Sequence, residues 1–197
     1  QIESLHKIYQ EGRDLVNGGV VILSSKDAAK FESFPRYRAH SGTQMGEISL
    51  QTFPSLDERI LRVRLDRFKR NNEILSDILT SKGCGNICSI HHPSHPQYFY
   101  AKDKGIISPF LNIHLPNVEG ELGNNELVKH IIGCARTDLV DLVHGTAFGF
   151  DVSRIYYVSS SIPHLKPFLR FSVGMETRLE IESLAHCLCN ALLSFRS

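Results

Sequence analysis

Residues 166–177 read KPFLRFSVGMET, and the alternation inside this stretch decides how the chain is built. A two-residue period puts Leu169, Phe171 and Val173 on one face and Phe168, Arg170 and Ser172 on the other. The stretch is therefore predicted to be a strand with one core face and one face carrying a fixed cation. A guanidinium held on a partly buried face calls for an anion, because a buried unpaired charge costs far more than a lost hydrogen bond. That anion is either a carboxylate of the fold or a carboxylate of a ligand, and the alternation alone leaves both open.

Working outward, Thr177 and Glu180 make a capping box, and Ile181, Leu184, Leu188 and Leu192 recur as the buried stripe of a terminal helix. Upstream, HGTAFGFDVSRIYYVSS (144–160) is rich in aromatic and β-branched residues around two glycines. A helix is expected from Asn125 to Ile132 with Gly133 as its stop, and strands near Asn86 to His91 and Pro109 to Leu115. Further back, Ser55 and Glu58 have capping-box spacing, and Leu61, Leu65, Phe68, Leu75 and Leu79 mark one long amphipathic helix running to Gly83. NGGVVILSS (17–25) reads as a buried strand, and residues 26–51 as short helix and loop. Strands and helices alternate, and residues from about 84 onward are expected to form one sheet with helices packed on it.

The chain has 197 residues, 42% of them hydrophobic, and a formal net charge of +1, enough for a sizeable core and without the excess charge that points to nucleic acid or a membrane surface. Arg59, Arg62, Arg64, Arg67, Lys69 and Arg70 crowd one face of the long helix. Asp57, Glu58, Asp66 and Glu73 are interleaved with no aromatic platform, so a solvated, partly ion-paired face is expected and nucleic-acid binding is not. No run is long enough for a membrane span and the first residues lack a signal-peptide pattern, which leads to the expectation of a soluble, cytoplasmic protein. The five cysteines, Cys84, Cys88, Cys134, Cys187 and Cys189, read as reduced thiols. Cys84 and Cys88 with His91, His92 and His95 have some metal-ligand character, but the spacing leaves little backbone to wrap a tetrahedron, and no metal site is expected.

In this order the motifs resemble the C-terminal half of the cysteine and methionine metabolism family of pyridoxal-phosphate enzymes, and within it the fungal cystathionine gamma-synthase-like branch. SLHKIYQEGRDLVNGGVV (4–21) resembles the cofactor-lysine segment, LDRFKRNNEILSDIL (65–79) the long interdomain helix, GTAFGFDVSRI (145–155) the turn before the substrate pocket, and PFLRFSVGMET (167–177) the arginine strand. The sequence departs from the family pattern at His6, Arg13 and Ala147. The resemblance implies a fold-type I α/β transferase, with residues 1–50 the end of the cofactor-binding large domain, 51–83 the interdomain helix and 84–197 the C-terminal small α/β domain. It implies pyridoxal 5'-phosphate as cofactor, Lys7 as the catalytic Schiff-base lysine, Ser4 as a phosphate ligand and Arg170 as the clamp on the α-carboxylate of a small amino-acid substrate. The chain is expected to be a piece of a longer enzyme that carries out gamma-replacement or elimination as a homo-oligomer. The alternative is a non-catalytic α/β scaffold or oligomerisation module derived from that family.

Overall fold

The computed structural model describes residues 2–42, 45–55, 57–86, 88–93, 98–104, 108–115, 118, 120–159 and 166–195. It divides into two compact units, Gln1–Leu61 and Arg62–Ser197. In the first, β1 (Ile2–Ser4) pairs antiparallel with β2 (Gly19–Val21), followed by α1 (Ala28–Ser41) and α2 (Glu47–Thr52). The strand expected over 17–25 is thus three residues long, and it is half-exposed where burial was expected.

Helix α3 (Glu58–Ser81) opens at the end of the first unit and continues through the start of the second. Its cap differs from the expected box: Asp57 Oδ1 accepts from Arg59 N at 2.8 Å and Asp57 O from Leu61 N at 3.0 Å, so Asp57 satisfies the orphan amides in place of Ser55. Phe68, Leu75 and Leu79 are fully buried, as the periodicity predicts.

The second unit then runs β3 (Ser89–His91), α4 (Phe99–Asp103), β4 (Phe110–His114), α5 (Gly120–Thr137), β5 (Val143–His144), β6 (Arg154–Val158), β7 (Phe168–Ser172) and α6 (Arg178–Ser194). The five strands form one sheet in the order β3-β4-β7-β6-β5, antiparallel except for the β5–β6 pair. Ile90, Leu111, Ile113, Ile155, Tyr157, Leu169 and Phe171 are buried on one face, together with Leu127, Ile131 and Ala135 of α5 and Ile181, Leu184 and Leu188 of α6. The Thr177–Glu180 capping box forms as read.

Helix α5 starts earlier than expected and passes through Gly133. A lone glycine costs a helix about 1 kcal/mol, which packing readily offsets. The chain turns instead at Leu139 (φ 56°), where Leu139 N bonds to Arg136 O and Val140 N to Ala135 O, a Schellman closure built on a non-glycine residue.

The thiol reading also needs correction. Cys84 and Cys189 form a disulfide across 105 residues, leaving Cys88, Cys134 and Cys187 free. Among the described residues no group of three metal-ligating side chains gathers; His95 lies outside them. Nor is any described helix long and apolar enough to cross a membrane.

Candidate functional site

The face of the sheet opposite the core carries its chemistry in register. Cα pairing aligns His91 of β3 with Asn112 of β4, Asn112 with Arg170 of β7, and Arg170 with Tyr156 of β6, so four polar or aromatic side chains form one cross-strand row. Arg170 is half-buried, its Cζ 4.9 Å from the centroid of Phe110 and 5.9 Å from that of Phe168. Its Nε is fully buried with no hydrogen-bond partner, and so is Oδ1 of neighbouring Asn112. Among the described residues no carboxylate pairs with Arg170. The unbonded Nε sets Arg170 apart, since buried polar groups are otherwise nearly always bonded.

At the β3 edge, His91 and His114 meet edge to face with centroids 4.6 Å apart, and His91 Nδ1 bonds to Tyr98 Oη. Burial first, and then the positive charge of His91 and Lys166, holds the His114 imidazole below its usual range.

The loops flanking the arginine strand are gripped by α3. Arg64, 5% exposed, donates to Asp151 Oδ1 at 2.7 Å and to Gly149 O at 3.1 Å. Arg67 donates to Met175 O, Arg70 to Glu176 O, and Asn71 Nδ2 to both Gly174 O and Glu176 O at 3.0 Å. The Glu176 carboxylate accepts from Ser153 N at 2.6 Å and Gly174 N at 2.9 Å. The basic face expected to be solvated is therefore partly a clamp, and its cations act on main-chain carbonyls as much as on carboxylates. A cavity of about 490 Å³ beside this clamp, lined by Asp138, Asp151, Glu176 and Leu179 among others, does not include Arg170. Two of its carboxylates are already engaged in the contacts just given.

The other sequence-predicted residues lie in the first unit. Ser4 ends β1, and its Oγ accepts from His6 N at 3.3 Å. Lys7 opens a short 3-10 turn (Lys7–Gln10) with φ 55°, and its N donates to Asp14 Oδ1 at 3.3 Å. His6 Nε2 accepts from Gly18 N at 3.2 Å, which requires that nitrogen to be unprotonated and turns Nδ1 to Asp14, 3.5 Å away. Ser4 and Lys7 thus share one turn, while Arg170 belongs to the second unit. Asn112 and Tyr156, which complete the Arg170 row, were not singled out from sequence. Alternation puts Tyr156 on a face, but only strand register brings it to Arg170.

No protein-family model matches the chain. Among curated proteins it is similar to the bifunctional enzyme flvA of Aspergillus flavus, 24% identical over 190 residues that make up 96% of this chain and 22% of that protein. Among solved structures it is similar to cystathionine gamma synthase from Xanthomonas oryzae pv. oryzae, solved with aminoacrylate and cysteine, with TM-score 0.69 and 18% identity over 98% of this chain and 49% of that one. It is likewise similar to CalE6, a methionine gamma lyase from Micromonospora echinospora (TM-score 0.67, 19% identity, 97% of this chain, 48% of that one). A third match is cystathionine gamma-lyase from Lactobacillus plantarum, complexed with L-serine (TM-score 0.67, 17% identity, 98% and 49%). The chain therefore has the α/β fold of part of these enzymes, as the motifs led one to expect, and it spans about half the length of the solved chains.

Proposed function

We propose that this chain is part of a pyridoxal-phosphate enzyme of sulfur amino-acid metabolism that carries out gamma-replacement or elimination. The observation that carries the reading is Arg170: a strand-borne guanidinium with a buried, unbonded Nε and no carboxylate partner among the described residues, in a fold shared with cystathionine gamma-synthases and lyases. A rigid planar fork of this kind binds a carboxylate with two parallel hydrogen bonds and so orients a small amino acid. Of the two anions left open by the alternation, the ligand carboxylate is the one the geometry favours.

The Lys7 segment fits part of what the cofactor needs. Ser4 Oγ, which accepts from His6 N, keeps its hydroxyl proton to donate to a phosphate oxygen. His6, held between Gly18 and Asp14, serves the turn and offers the phosphate nothing. Lys7 supplies the amine that bonds the cofactor and carries protons to and from the substrate's α and β carbons. Pyridoxal phosphate, when bound, takes up the electrons released at those carbons. On this reading the parent enzyme is a cytoplasmic homo-oligomer acting on a small amino acid.

The test is an absorption spectrum of the chain with added pyridoxal phosphate, followed by borohydride reduction and peptide mapping. A visible protein-bound band that reduces onto Lys7, and is lost in Lys7→Ala, is the expected result; light scattering on the same sample reads self-association. If the band needs residues beyond this chain, it returns when they are supplied. A band in neither case overturns the reading and leaves the non-catalytic scaffold.

A further inference from the structure

We infer that the cavity beside the α3 clamp docks another polypeptide, and that its occupant is a segment carrying aliphatic side chains next to arginine or lysine. The cavity, of about 490 Å³, lies where the turn after α5, the Asp151–Val152 loop and the first turns of α6 meet. Arg170 does not line it, and its use does not depend on the cofactor reading. Three of its aliphatic side chains are left exposed: Leu139 (93%), Leu179 (76%) and Val152. One exposed leucine is ordinary, but three around one cavity make a patch. Leu139 is the least expected of them, because its φ of 56° is the left-handed conformation that glycine takes freely and other residues resist. Neither burial nor backbone preference accounts for a leucine at this turn, whereas contact with a partner does.

The charge around the patch selects the partner. Each exposed aliphatic residue has a carboxylate beside it in the chain: Asp138 and Asp141 about Leu139, Asp151 before Val152, and Glu180 after Leu179. No lysine, arginine or histidine lines the cavity. Part of this charge is already answered, since Arg64 holds Asp151 and Glu180 accepts from Thr177 N. Asp138 accepts from the Cys187 thiol, but neither it nor Asp141 has a cationic partner among the described residues. A purely apolar partner would cover these carboxylates unpaired, and an acidic one would be repelled. A segment that sets an aliphatic side chain against Leu139 and Leu179, with a cation on either side, covers the patch and answers both carboxylates in one contact. The stems of arginine or lysine can lie along the leucines while their heads reach the carboxylates.

The test is fluorescence anisotropy of the full chain with a blocked, labelled synthetic peptide of alternating leucine and arginine. The peptide should bind, more weakly as salt rises, and replacing its arginines by glutamate or its leucines by serine should weaken binding about tenfold or more. Leu139→Gly should also cost about tenfold in affinity. Glycine suits the backbone at that turn, so the urea midpoint of this variant should not fall, which separates a lost contact from a lost fold. Asp141→Asn should weaken binding about threefold at low salt and reduce its salt dependence. Absence of binding, or affinity unchanged in Leu139→Gly, overturns the inference. So does argininamide binding as tightly as the peptide, which would make the cavity a site for a small cation. If the unaltered chain self-associates and Leu139→Gly abolishes that, the occupant is a second copy and the inferred partner is wrong.

Discussion

Gly174 sits where two stretches of main chain pass too close for any side chain: a Cβ there would lie 2.2 Å from Asp151 O and 2.6 Å from its carbonyl carbon. Neither atom is at the end of a flexible side chain, so Gly174→Ala should displace the 149–152 loop and destabilise the fold by about 2–4 kcal/mol, read from urea midpoints. Asn71 tests the same junction from the helix side. Its amide is the shared donor to Gly174 O and Glu176 O, and Asn71→Ala should cost about 1–3 kcal/mol because Gly174 O loses this donor in a buried place, while Glu176 O keeps Arg70. At this scale the sequence was half legible. The alternation of 166–177 placed Arg170 and the core residues on their correct faces, since a strand's period is a local property. The clearance at Gly174 depends on Asp151, more than twenty positions away, and nothing local announces it.

Helix α3 shows the same division at the scale of an element. Its apolar stripe was visible as spacing, because burial of Phe68, Leu75 and Leu79 follows from the helical period alone. The work of its cations was not, since their acceptors are mostly carbonyl oxygens, which every residue carries and no sequence distinguishes. Arg64→Met keeps the length and apolar stem of the side chain while removing its bonds to Asp151 and Gly149. We expect a loss of about 1–3 kcal/mol, at the lower end because Asp151 is 61% exposed and recovers its hydration. Helix α5 failed the local reading for a related reason: Gly133 is a stop only where the helix lacks support, and Leu139 makes the turn instead. Ser4 and Lys7 were singled out only through resemblance, since a lysine opening a short 3-10 turn has no periodicity to mark it.

For the whole molecule, acid is the first lever. His92 is 4% exposed, and burial pushes its imidazole down to about 4, partly offset by a hydrogen bond with the Ser108 main chain. An unfolded histidine takes its proton near pH 6.5, so stability on this account is complete above that pH and declines as pH falls toward about 4. Between about pH 7 and pH 5 the loss should be about 2 kcal/mol, and His92→Gln should abolish that part of the slope in urea titrations. The disulfide is the second lever. Thiol titration of the unreduced, denatured chain should count the three free cysteines, and reduction should destabilise the second unit by about 4–5 kcal/mol if chain entropy governs. Every strand of the five-stranded sheet falls between Cys84 and Cys189. That sheet is therefore enclosed in a covalent ring, and a protease that nicks any one loop of it yields a molecule that keeps its full mass and runs as one band until a reductant is added.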